Sequence, residues 1–182
     1  MMGAGKTAVG GQVARMLGVP FLDSDEQIEH AAARRIAEIF ERDGEAFFRR
    51  KETQVLARLL EGPPVVLSTG GGAFLSEENR AMIAAQGVSV WLKADLDLLW
   101  QRVRHKATRP LLRTANPRET LRALLVAREP VYALAQLTVS ARPDYSVEQM
   151  AARLVEALGS ASGALDAPAT DPAEPSARGA QG

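Results

Sequence analysis

The chain is expected to fold as an α/β domain, a parallel β-sheet covered by helices on both faces. Short apolar stretches alternate with longer stretches of helical periodicity from the start to about Leu158. The stretch Val65-Val66-Leu67-Ser68 is apolar without polar alternation, as in strands buried on both faces. Two of these stretches run into Asp23-Ser24-Asp25 and Thr69-Gly70-Gly71-Gly72, and ligands bind beyond the carboxyl ends of strands in such sheets.

The first helix is predicted over Thr7 to Leu17, ended by Gly18 and Pro20. Phe21-Leu22 then forms a short strand. Three helical stretches follow: Glu26 to Arg34, Ile36 to Arg42, with Ile36, Ile39 and Phe40 on one face, and Glu45 to Glu61. After the Val65–Ser68 strand, Ser76 to Gln86 is helical and stopped by Gly87. Val88 to Leu92 is the next strand, and Asp95 to about Arg104 the next helix. Pro117 to Tyr132 is helical despite Pro130 near its end, and Leu137-Thr138-Val139 is the last strand. Ser146 and Gln149 form a capping-box pair for a final helix. From Gly159 onward the chain is rich in Ala, Gly, Pro and Ser without periodicity. The domain is therefore expected over 1–158, with a disordered tail over 159–182.

Composition narrows the function. The 182 residues suffice for one well-buried domain. Acidic and basic residues balance at 22 each, so no global field favours nucleic acid or an anionic membrane, and anion recognition must be local. No cysteine is present, which excludes disulfides and thiolate chemistry and fits a cytoplasmic location. Only His30 and His105 occur, which argues against a multi-histidine metal site. No apolar run approaches the roughly 18–20 residues of a membrane span, and no secretory signal is expected.

Gly5-Lys6-Thr7 completes the pattern G-x-x-x-x-G-K-[ST], with Met1-Met2-Gly3-Ala4 as its four variable positions. The first glycine would fall one residue before Met1. Backbone N–H groups of such a loop, with the helix N-terminus behind it, form a nest for phosphates. Lys6 would reach the β- and γ-phosphates, and the Thr7 hydroxyl would help to hold Mg²⁺. A ligand-free helix start is the competing reading. Met2-Gly3 also fits a loose myristoylation pattern, which the phosphate loop explains better.

Other polar clusters strengthen the loop. Strand alternation is expected to turn Asp23 and Asp25 to one side, one toward hydrated Mg²⁺ and one toward a substrate hydroxyl. Alternatively, Asp25 caps the following helix. Arg49 and Glu52 stand three apart on one helix, so the carboxylate can hold the guanidinium as a fork for a substrate carboxylate. Gly70, Gly71 and Gly72 suggest close approach of backbone to a ligand. The basic segment from Arg102 to Arg109-Pro110-Leu111-Leu112 has the character of a lid, and Arg128 is a further anion ligand.

In this order and spacing the residues resemble the shikimate kinase family over Met1 to about Leu158. The resemblance rests on the phosphate loop, Asp23-Ser24-Asp25, Gly44-Glu45 with Phe48-Arg49-Arg50 and Glu52, Gly70-Gly71-Gly72, Arg109-Pro110-Leu111-Leu112, and Arg128 with Tyr132. It implies a P-loop NTPase-type sheet of the nucleoside-monophosphate-kinase kind, and ATP-dependent phosphorylation of the 3-hydroxyl of shikimate in a cytoplasmic monomer. Gly3, Ala4, Gly5, Lys6 and Thr7 would bind ATP, with Thr7 and Asp23 supporting Mg²⁺. Asp25 would orient the hydroxyl and accept its proton. Arg49 and Arg128 would hold the substrate carboxylate, with Gly70, Gly71 and Gly72 along the ring. Arg109 would meet the phosphates, while Arg102 and Arg142 would contact adenine. In the family's sheet order the first strand is central, between Val65–Ser68 and Val88–Leu92, and this sequence lacks it. Met1 is then expected to be internal to a longer natural loop. Another small-molecule P-loop kinase, such as a gluconate or nucleoside monophosphate kinase, and an inactive truncated fragment are the alternatives.

Overall fold

The computed structural model describes residues 1–105 and 110–165. Helix α1, Lys6–Leu17, begins after Gly5 and ends at Gly18, both left-handed, with φ of 89° and 67°. Strand β1, Phe21–Asp23, leads directly into α2, Ser24–Ala32. Two of the expected helices join as α3, Ile36–Leu60, across a kink at Gly44, whose φ of 77° and ψ of 172° break the helical path.

Strand β2, Val66–Ser68, is followed by a 3-10 turn over Ala73–Leu75 and by α4, Glu77–Gln86, capped by Ser76. Strand β3, Val90–Lys93, starts two residues later than expected. Helix α5, Leu96–Val103, is capped by Asp95, whose carboxylate accepts from the Leu98 N–H at 2.7 Å. A 3-10 turn over Pro110–Leu112 precedes α6, Pro117–Tyr132, which accommodates Pro130 in its last turn. Strand β4, Leu137–Ser140, and α7, Val147–Leu165, complete the chain.

The final helix runs seven residues past the boundary expected at Leu158. The helix continues through Gly159, and the Ser160 hydroxyl donates to the Glu156 carbonyl one turn back at 3.0 Å. Of the expected tail, residues 166–182 lie outside the described residues.

Among the described residues all strand pairing is parallel, as predicted, and it forms two two-stranded sheets, β1-β2 and β3-β4. Phe21 pairs with Val66 in one and Val90 with Leu137 in the other. Between β2 and β3 lies a cavity of about 440 Å³ that both strands line. Helix α1 packs on β2, its Gly10 placed so that a side chain would strike the Phe21 ring, and also on α7. The larger core gathers Val9, Val13, Leu98, Leu99, Leu121 and Val139 around β3-β4. A smaller core of Ile28, Ile39, Phe48 and Val55 joins α2 to α3. Among the described residues no helix is long and apolar enough to cross a membrane.

Candidate active site

The phosphate loop folds as its glycines require. Gly3 and Gly5 have φ of 79° and 89°, and a Cβ on Gly3 would lie 2.8 Å from Val103. Ala4 is buried against the core, while Lys6 and Thr7 open α1 at the loop's mouth. The Lys6 ammonium donates to the Met1 carbonyl at 3.3 Å. The Arg102 guanidinium donates to the carbonyls of Gly3 and Ala4 at 3.3 and 3.5 Å, so α5 braces the loop.

Asp23 and Asp25 do converge, though not by strand alternation. Strand β1 stops at Asp23, and Asp25 stands in the first turn of α2. Asp23 rather than Asp25 is the cap, accepting from the Asp25 N–H at 3.0 Å. Ser24 is buried beneath them, and its hydroxyl accepts from the Gly70 N–H at 3.1 Å, tying the two turns together. A Cβ on Gly70 would come within 2.6 Å of an Asp25 carboxylate oxygen. Burial raises the Asp25 pKa and the Asp23 charge raises it further, while Lys6 and Arg49 pull it back. The charges of the phosphate-loop lysine and of the α3 arginine thus both act on Asp25.

Arg49 projects from α3 with its guanidinium held on both sides. Its Nη1 donates to Glu52 at 2.6 Å, and Nε and Nη2 reach Glu45 at 3.3 and 3.2 Å. Glu52 is 2% exposed and Arg49 37%, so a buried carboxylate anchors a cation that stays partly open to solvent. Burial raises the Glu52 pKa, opposed by Arg49. A Cβ on Gly72 would collide with the Arg49 guanidinium. A Cβ on Gly71 would lie 3.5 Å from Arg128 and 3.6 Å from the Tyr132 hydroxyl, which donates to the Gly71 carbonyl at 2.6 Å. The triple glycine is therefore threaded between Asp25, Arg49 and Arg128.

Ser24 and Tyr132 are the site residues whose contacts sequence reasoning missed. Ser24 reads as a spacer between two aspartates, and nothing local signals its bond to Gly70. Tyr132 stood with Arg128 in the resemblance, and its place four residues on along the same helical face could have signalled its contact. Arg142 lies on the surface after β4, paired with Asp144 at 3.3 Å and stacked over Tyr145. Arg109 lies outside the described residues. The Thr7 hydroxyl and Asp23 carboxylate are hard oxygen donors of the kind that suits Mg²⁺. No group of three Asp, Glu or His side chains among the described residues could hold a metal alone. That donor set fits a cation carried chiefly by nucleotide phosphates.

A glycine-rich phosphate loop opening a helix, on a parallel α/β scaffold with a carboxylate between lysine and arginine, defines a P-loop kinase. The family model for shikimate kinase matches residues 2–159. A shikimate kinase of Cereibacter sphaeroides is 72% identical over 166 residues, covering 91% of this chain and 83% of its own length. One from Ruegeria pomeroyi is 65% identical, with 91% and 85% covered. The solved structure of a shikimate kinase from Acinetobacter baumannii in complex with shikimate superposes with a TM-score of 0.81 at 39% identity, covering 88% of this chain and 89% of that one. The Bacteroides thetaiotaomicron enzyme gives 0.80 at 36% identity, with 87% and 94% covered. The chain belongs to the shikimate kinase family.

Proposed function

We propose that this protein transfers the γ-phosphoryl group of ATP to the 3-hydroxyl of shikimate, giving shikimate 3-phosphate on the route to chorismate and the aromatic amino acids. The observation that carries this reading is that Asp25 and Arg49 both close on the triple glycine, Asp25 at Gly70 and Arg49 at Gly72, while the Lys6 charge also acts on Asp25. One neighbour is suited to phosphate and the other to carboxylate, so the hydroxyl between them meets a base.

Arg49, fixed by Glu52, and Arg128 would grip the substrate carboxylate. Gly70, Gly71 and Gly72 would let the ring approach the backbone, since any Cβ at Gly70 or Gly72 would strike Asp25 or Arg49. Asp25 would accept a hydrogen bond from the 3-hydroxyl and take its proton as the new oxygen–phosphorus bond forms. The bond from the γ-phosphorus to the bridging oxygen breaks, and ADP leaves with that electron pair. Burial makes Asp25 a more basic acceptor than a solvated aspartate. Lys6, the N–H groups of Gly3, Ala4, Gly5 and Thr7, and Arg109 would neutralise the phosphates. Arg102 and Arg142 would contact adenine. Mg²⁺, held through the nucleotide and by Thr7 and Asp23, would neutralise charge on the transferring group. The enzyme is proposed to work as a cytoplasmic monomer on ATP and shikimate alone.

The test is ADP release from ATP and Mg²⁺, measured with and without shikimate and with gluconate or nucleoside monophosphates in its place. Release dependent on shikimate is expected. Release that follows another acceptor, or none in folded protein, overturns the assignment.

A further inference from the structure

The glycine wall of the site is a tight turn. The Gly70 carbonyl accepts from the Ala73 N–H at 3.2 Å, so Gly71 and Gly72 are its two central residues. Gly72 has φ of −94° and ψ of −24°, close to the third residue of a type I turn. Nothing in the local sequence demands that form. A glycine at the third position equally admits a type II turn, in which its φ is positive. The two forms differ by a half-turn of the Gly71–Gly72 peptide. That half-turn exchanges the directions of its carbonyl and N–H and leaves Gly70 and Ala73 in place.

The flanks of this peptide are tied down locally or from β1. The Gly70 N–H donates to the Ser24 hydroxyl at 3.1 Å, and the Gly72 carbonyl accepts from the Leu75 N–H at 3.0 Å. The central peptide is held from far along the chain. Its Gly71 carbonyl accepts from the Tyr132 hydroxyl, 61 residues on, at 2.6 Å. Tyr132 is the last residue of α6 and is buried, with its ring centroid 6.3 Å from that of Trp91. The ring is therefore fixed, and its hydroxyl does not follow a carbonyl that turns away. Burial raises the phenol above its ordinary pKa, so it stays a donor. Arg128, whose charge acts on the same hydroxyl, cannot replace the carbonyl, because a guanidinium only donates. A type II turn would thus strand a buried donor, and the type I turn satisfies it.

We propose that Tyr132 is a positioning residue for the substrate, which selects the type I form of the Gly70–Ala73 turn. It thereby sets which face of the Gly71–Gly72 peptide the substrate ring meets. The inference rests on the function proposed above. A Cβ on Gly71 would lie 3.5 Å from Arg128 Nη1 and 3.6 Å from Tyr132 Oη, and one on Gly72 would strike Arg49. The peptide that Tyr132 orients therefore joins the points where the two carboxylate-binding arginines meet the glycine wall. A chain in the type II form must return to type I when substrate binds. That lowers affinity and leaves the chemical step unchanged.

Tyr132→Phe removes the hydroxyl and keeps the ring. The shikimate KM is expected to rise about 3–10-fold, the share of one neutral hydrogen bond. Turnover should stay within about twofold, and the ATP KM should not move. NMR of the full chain reads the turn directly. Without shikimate the unaltered chain should show type I. The variant should gain the short contact between the Gly71 Hα and the Gly72 amide that marks type II, and lose it as shikimate is added. Placing 4-aminophenylalanine at position 132 keeps a donor there and should restore both the KM and the turn. The proposal falls if the Phe variant keeps a type I turn, or if its shikimate KM is unchanged. Equal losses in turnover or ATP binding, or an unfolded variant, would mark a packing role and overturn it as well. A type II turn in the unaltered chain also overturns it. The turn is read without turnover, so this failure is distinct from that of a chain that ignores shikimate.

Discussion

Arg49 and Glu52 make opposite demands on fold and site, and a pair of variants separates them. Arg49→Ala removes the cation that neutralises a carboxylate only 2% exposed. Breaking a fully buried pair costs about 3–5 kcal/mol, but surface pairs contribute about 1 kcal/mol or less. With Arg49 37% exposed, a loss of about 2 kcal/mol is expected, a fall in Tm of about 4–8 °C for a domain of this size. Adding Glu52→Gln removes the stranded charge and should restore most of that Tm. Shikimate binding should not return. Losing a charge-assisted hydrogen bond of about 1.5–3 kcal/mol raises the shikimate KM by about 10–150-fold in both variants. Thermal melts and initial rates at saturating ATP measure the two effects independently. Recovery of the shikimate KM in the double variant would refute Arg49 as the carboxylate ligand. A Tm that stays low would refute the stranded-charge argument.

Asp25→Asn should lower turnover by about 10²–10⁴ while leaving ATP affinity intact, as single-turnover rates and nucleotide titration would show. It should also raise Tm at neutral pH. A carboxyl whose folded pKa is raised costs stability above that pKa, and the cost disappears as pH falls below the unfolded value of 3.8. The gain in Tm should therefore vanish in acid melts. Gly72→Ala places a methyl group against the Arg49 guanidinium. It should raise the shikimate KM at least about tenfold with the ATP KM unchanged.

The chain's local chemistry was legible wherever a short stretch of sequence fixes backbone geometry. Gly5-Lys6-Thr7 announced a phosphate loop because few other arrangements need that glycine before that lysine, and Gly3 and Gly5 do adopt positive φ. Gly44 marked the break in α3, and Ser146 with Gln149 marked the start of α7. Arg49 and Glu52 were visible as a pair because a helix brings residues three apart together. The strand Val65–Ser68 was visible because burial on both faces demands an unbroken apolar run.

Tertiary structure decided what local spacing cannot. Asp23 and Asp25 converge because a helix starts between them, and Ser24 is a strut only because Gly70, 46 residues away, passes above it. Helix α7 continues past Gly159, where composition alone places the start of a tail. The strands and their parallel sense came from the sequence, whereas the register of each pair, Phe21 on Val66 and Val90 on Leu137, came from the fold. Periodicity reports which face of a segment is buried, whereas pairing is set by which backbone edges meet across the core. Here β2 and β3 meet a cavity instead of each other.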